Sequence, residues 1–162
     1  MKMTLCFIGI FLFVSRCAAQ DSTFDVFTYR PPEFFTCVAL PSKVQFSFAN
    51  SDTSFCRITL FKTQPAKNSA GKDVLSQWSQ QVAGHLKGAD KKPGRILEGR
   101  LWDGWVSTVA IGNFYQAGKK CVVMLNSFRK GDLSCFVVFA FSDKSFKGPV
   151  EDFSRNLHLI QR

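Results

Sequence analysis

Two tryptophans, Trp102 and Trp105, bracket an Asp103-Gly104 pair, and a basic run containing Lys91, Lys92 and Arg95 lies just upstream. Asp-Gly is a tight-turn dipeptide, so the two indoles are expected near one another on a surface, where paired rings stack on a planar or sugar-like ligand. Aromatics flanking a turn also close over the edge of a core, which is the plainer reading. Lys87, Lys91, Lys92, Arg95 and Arg100 offer positive charge to a partner, although Asp90 and Glu98 interrupt them in the manner of a solvated loop. Trp102, Trp105, Lys91, Lys92 and Arg95 are therefore the candidate ligand- or partner-binding residues.

Catalytic chemistry is poorly supplied. The chain has 2 histidines, His85 and His158, each at a predicted helix end, so a serine or cysteine nucleophile has little choice of base. No Gly-x-Ser-x-Gly elbow, Cys-x-x-Cys pair or His-x-x-x-His pair occurs, and Gly88, Gly94, Gly99 and Gly104 lack the strand-to-helix setting of a phosphate loop. The 12 acidic residues are scattered and give no candidate pair for glycosidase work. The expectation is a non-catalytic binding or accessory domain with no catalytic residues, metal or cofactor. An enzyme with an unrecognised cleft and a structural envelope protein are the alternatives. With no nucleic-acid motif beside the basic run, the expected partner is a protein, an envelope component or a small ligand.

These residues must be carried by one domain behind a leader. Lys2, an apolar run over 5–14 and Cys17-Ala18-Ala19 make residues 1–20 a signal peptide, and export to the periplasm or medium is expected. Lipidation at Cys17 is the alternative, against which Val14-Ser15-Arg16 stands because small residues are expected there. No other segment is long and apolar enough for a membrane helix. Residues 21–162 then form a single domain, and removing Lys2 and Arg16 from 21 basic residues leaves 19 against 12 acidic, a net of +7. That domain keeps Cys37, Cys56, Cys121 and Cys135. Export invites a disulfide reading with three connectivities, while four small buried core residues are the alternative.

The densest apolar stretch, residues 119–142, reads as a hairpin with Arg129-Lys130-Gly131-Asp132 at the turn. Its second arm is apolar at every position over 135–141, as in a central strand buried on both faces, so the sheet needs two covers. With the turn centred between Lys130 and Gly131, Cys135 falls opposite Asn126, and Cys121 points to the other face, which disfavours a bridge between them. Cys37 and Cys56 flank a possible hairpin and are freer to meet. Further strands are expected over 24–29, 44–48, 55–61 and 105–115. Residues 62–72 read as a loop, and 88–99 as a mobile crossover. Val74, Trp78, Val82 and Leu86 recur every four residues behind Asp73, a candidate N-cap, which marks the first covering helix. Val150, Phe153 and Leu157, with Pro149 in the first turn, mark the second.

In this order of elements, the segments FTYRPPEFF, SFCRITLFKTQP, VLSQWSQQV and FVVFAFSDKSFKGPVEDFSRNLHL resemble the PsbP-like fold of photosystem extrinsic proteins and small exported proteins of Bacteroidetes-type bacteria. The resemblance implies an α+β domain, an antiparallel sheet sandwiched by helices, and export. It brings no catalytic residues, and the photosystem role is not carried over because no chloroplast targeting is recognisable.

Overall fold

The computed structural model describes residues 20–67, 69–100 and 104–160. In chain order the elements are β1 (Ser22–Phe24), β2 (Phe27–Tyr29), β3 (Thr36–Leu40), β4 (Lys43–Ser51), β5 (Ser54–Pro65) and α1 (Ala70–Gln77), which runs into a π-helical turn (Trp78–Ala83). After these come β6 (Arg95–Arg100), β7 (Val106–Gln116), β8 (Lys119–Lys130), β9 (Leu133–Phe141), a 3-10 turn (Lys144–Phe146), α2 (Lys147–Arg155) and β10 (His158–Leu159). Seven strands form one antiparallel sheet in the order β3-β4-β5-β9-β8-β7-β6, and β1-β2-β10 form a small second sheet. The fold is α+β.

β9 is the axis of the domain. All its residues from Ser134 to Phe141 are buried, as an arm with no polar face requires. On one face Phe139 and Val137 join Phe46, Ile58 and Leu60 beneath Val26 of the turn after β1, Phe27 and Tyr29 of β2 and Val150 and Phe153 of α2. Phe153 is the hub there, with ring centroids 5.8 Å from Phe46, 6.0 Å from Tyr29 and 6.2 Å from Phe139. On the other face Val74, Trp78 and Val82 pack on Ala110, Phe114, Val123 and Leu125, so α1 and the π turn lie across β7 and β8. A four-residue apolar recurrence drifts around an α-helix, which repeats every 3.6 residues. The wider π turn takes up the drift and keeps Trp78 and Val82 facing the sheet.

The structure corrects several sequence expectations. The strand over 24–29 is split into β1 and β2 by Asp25 at φ 55°, a residue that tolerates the left-handed region, whose Oδ2 accepts from the Thr63 N–H at 2.6 Å. β5 continues through Lys62 to Pro65, with a bulge between Phe61 and Gln64, because β9 extends alongside it. The N-cap of α1 is Ser69, whose hydroxyl accepts from the Lys72 N–H at 3.3 Å. Asp73 sits inside the first turn, 1% exposed, where it accepts from the Lys67 N–H at 2.5 Å and Arg129 at 3.0 Å. In the hairpin Lys130 pairs with Leu133 and Phe128 with Cys135, two residues from the expected register. The shift is even, so Cys121 and Cys135 still face opposite ways, each in a different core. Cys56, Cys121 and Cys135 are buried thiols, so none of the three full pairings is formed.

Candidate functional site

The two covers are offset. The small sheet and α2 lie over β4, β5 and β9, whereas α1 and the π turn lie over β7 and β8 on the opposite face. The face of β4 and β5 that turns away from the aromatic core is therefore left without a helix. Cross-strand partners share a face, so the register sets three rungs there. Lys43 lies beside Phe61 and Phe136, Gln45 beside Thr59 and Val138, and Ser47 beside Arg57 and Ala140. With ~7 Å between alternate residues on a strand, the rungs span roughly 14 Å.

Along one side the π turn and the residues after it bring up Gln81, His85 and Leu86 as a wall. The result is a trough made of two adjoining hollows of about 210 and 420 Å³, which share Lys43, Phe61 and Gln81. Its floor is apolar: Phe61 stacks on Phe136 with centroids 4.4 Å apart and planes 18° apart, and the Lys43 Nζ sits 6.0 Å from the Phe61 centroid. Its rim is cationic. Lys43, Arg57 and Lys62 supply the positive charge with His85 beside them, and among the described residues no aspartate or glutamate lines either hollow.

Arg57 is the unusual member. Its Nε is buried and has no hydrogen-bond acceptor, an arrangement that costs roughly 1–3 kcal/mol if nothing fills it. Nearby, Gln45 Nε2 donates to Ser47 Oγ at 3.1 Å, so that amide is already engaged. His85 Nδ1 lies 2.6 Å from the Gln80 carbonyl oxygen. A carbonyl only accepts, so Nδ1 carries the hydrogen and Nε2 is the nitrogen left for other contacts. The trough can hold an anion and stack a flat group. Thr59 lies beneath the His85 wall, Ser42 and Thr63 line the adjoining hollow, and the cysteines do not line either. Burial pushes the Cys56 thiol up to about 12 and raises Cys121 and Cys135 as well, so these sulfurs stay protonated and are poor nucleophiles.

The residues singled out from sequence lie elsewhere. Trp102 is outside the described residues. Trp105 is 2% exposed and belongs to the aromatic core, with the Lys130 Nζ 6.0 Å from its ring, so it presents no surface for stacking. It precedes β7 on the side where Phe128 packs, and closing over the core edge is what this indole does. Lys91, Lys92 and Arg95 are exposed, as expected, but they do not sit on a mobile crossover. Trp78 Nε1 donates to the Asp90 carbonyl at 2.9 Å, Asp90 Oδ2 accepts from the Asn113 N–H at 2.8 Å, and the Gly94 N–H donates to the Ile111 carbonyl at 2.9 Å. These bonds tie 90–94 to β7, after which β6 pairs with β7 along its length. The close approach requires Gly112, where a Cβ would lie 2.7 Å from the Trp78 ring. Of residues 1–20, read as the signal peptide, 1–19 are outside the described residues.

No family model matches the chain, and no curated protein sequence matches it. Solved structures do. One is PA94 from Pseudomonas aeruginosa, a protein of unknown function, at TM-score 0.51 and 10% identity over 79% of this chain and 97% of that one. Another, from Bacteroides thetaiotaomicron, matches at TM-score 0.50 and 16% identity over 85% of this chain, which spans 46% of the Bacteroides protein. At these identities the likeness shows the fold alone.

Proposed function

We propose that the protein is an exported, non-catalytic binding domain whose trough over β4, β5 and β9 takes a small carboxylate-bearing ligand with a flat apolar part. The observation that carries this reading is Arg57, whose buried Nε lacks an acceptor inside a hollow lined by cations and no carboxylates. A ligand carboxylate supplies that acceptor and a counter-charge for Lys43, and the apolar floor receives the rest of the molecule. The roughly 14 Å span suits a small molecule. Export is part of the proposal and rests on Lys2, the apolar run over 5–14 and Cys17-Ala18-Ala19. The PsbP-like order of elements supports the scaffold and names no ligand.

The test is a titration of the protein with a panel of aromatic and aliphatic carboxylic acids against their neutral amides, followed by backbone amide NMR shifts in β4 and β5. An acid should bind more tightly than its amide, and Arg57→Gln should weaken it by roughly ten- to hundredfold, as the loss of a charge-assisted hydrogen bond implies. Acid and amide binding equally, or no acid shifting those signals, would overturn the reading.

A further inference from the structure

β6 is an edge strand, with β7 on one side and no strand on the other among the described residues. Its pairing puts Arg95 and Leu97 on one face, beside Ile111 and Val109, and Ile96 and Glu98 on the other, beside Ala110 and Thr108. Neither face of β6 is covered: Ile96 is 41% and Leu97 42% exposed. The opposite edge, β3, has a different character, for Thr36, Cys37, Val38, Ala39 and Leu40 carry no charge. Among the described side chains on β6 and just before it, the exposed charges include Lys91, Lys92 and Arg95 against Glu98, and Asp90 is occupied by Asn113.

We infer that β6 is a strand-addition site for an extended acidic peptide segment of a partner protein, separate from the trough. An unpaired edge offers a row of backbone donors and acceptors to any extended chain. The basic residues narrow the choice. A second copy of this chain would bring one net-positive edge against another, whereas acidic side chains on an added strand meet Lys91, Lys92 and Arg95 with complementary charge. Ile96 and Leu97 give that strand an apolar neighbour on each face. The edge is also held in place before binding, because the bonds from Trp78, Asp90 and Gly94 tie its approach to β7, so little ordering is left for the partner to bring about.

The experiment uses the full chain and three synthetic eight-residue peptides. The first alternates glutamate with valine, the second alternates lysine with valine, and the third is the glutamate peptide N-methylated at every residue, which keeps its charge but can donate to a ladder from neither edge. The glutamate peptide should bind in a salt-sensitive manner and slow amide hydrogen exchange over 95–99. The triple variant Lys91→Glu, Lys92→Glu, Arg95→Glu should bind it roughly tenfold more weakly. Circular dichroism would confirm that these exposed substitutions leave the fold intact. Equal binding of the methylated peptide, equal binding of the lysine peptide, protection at 36–40 instead of 95–99, or an unaffected triple variant would each overturn the proposal.

Discussion

Asp73 anchors the cover on one face of the sheet and Asp143 anchors the cover on the other, yet the Asp73 side chain is 1% exposed and that of Asp143 34%. Asp73 ties α1 to β8 through Arg129 at 3.0 Å, and Gln77 one turn later donates to Ser134 on β9 at 2.7 Å. Asp143 gathers the hydroxyl of Ser142 at 2.9 Å, the N–H of Ser145 at 3.0 Å and the Lys119 ammonium at 3.5 Å at the start of the 3-10 turn. The difference follows what each cover buries. α1 and the π turn bring a narrow stripe, Val74, Trp78 and Val82, and the rest of the contact is polar and locked. α2 and the small sheet bring many interlocking rings and lean less on polar bonds. One face is held by a few directional contacts, the other by area.

If area dominates on the aromatic face, removing one ring there should do the most damage. Phe139 is fully buried beneath Phe153, and Phe139→Ala should cost about 4 kcal/mol by urea denaturation, since the ring leaves a cavity the rigid sheet cannot close. Asp73→Ala is expected to follow at about 3 kcal/mol, because it strands the Lys67 N–H and takes the counter-charge from Arg129, which keeps only the Lys67 carbonyl, whereas Asp73→Asn keeps an acceptor and should lose less. Asp73→Ala costing more than Phe139→Ala would reverse the contrast. It would show that the polar lock, not the rings, sets the stability of the domain.

The same contrast separates what the sequence made legible from what it did not. β9 was readable because burial on both faces leaves an unbroken apolar run, and the two stripes because burial on one face leaves a period, which Val74, Trp78, Val82, Val150 and Phe153 keep. β6 was not, since Arg95, Glu98 and Gly99 give no pattern, and the strand exists because β7 supplies its ladder. Asp73 has the residue type of a cap but lies one turn inside the helix, and only its packing against Arg129 accounts for the burial. The trough was hidden for a related reason. Lys43, Gln45, Arg57 and Thr59 are the polar half of two alternating strands, which reads as a solvent face, and the offset of the covers that turns it into a hollow is a property of the assembled layers. The one available signal was Arg57 beside Thr59 on the outer face of an apolar strand.

The smallest expected effect is pH dependence at the second anchor. Hydrogen bonds from the Ser145 hydroxyl, the Ser142 hydroxyl and the Ser145 N–H, with a further contribution from Lys119, hold the Asp143 carboxyl down at about 2. An unfolded aspartate titrates near pH ~3.9, so the folded state favours the ionised form. Its contribution is fully present above that value, falls away as pH drops towards 2, and is absent below. Solvent reaches this carboxylate, so the gain is modest and salt-sensitive. The melting temperature of the unmodified protein should therefore decline between pH 4 and 2 more steeply than that of Asp143→Asn, and the two curves should run parallel above pH 5. At the buried anchor no such screening operates, so added salt should narrow the difference caused by Asp143→Asn while leaving that of Asp73→Asn nearly unchanged. Equal salt sensitivity at both aspartates would mean that the two covers are held in the same way after all.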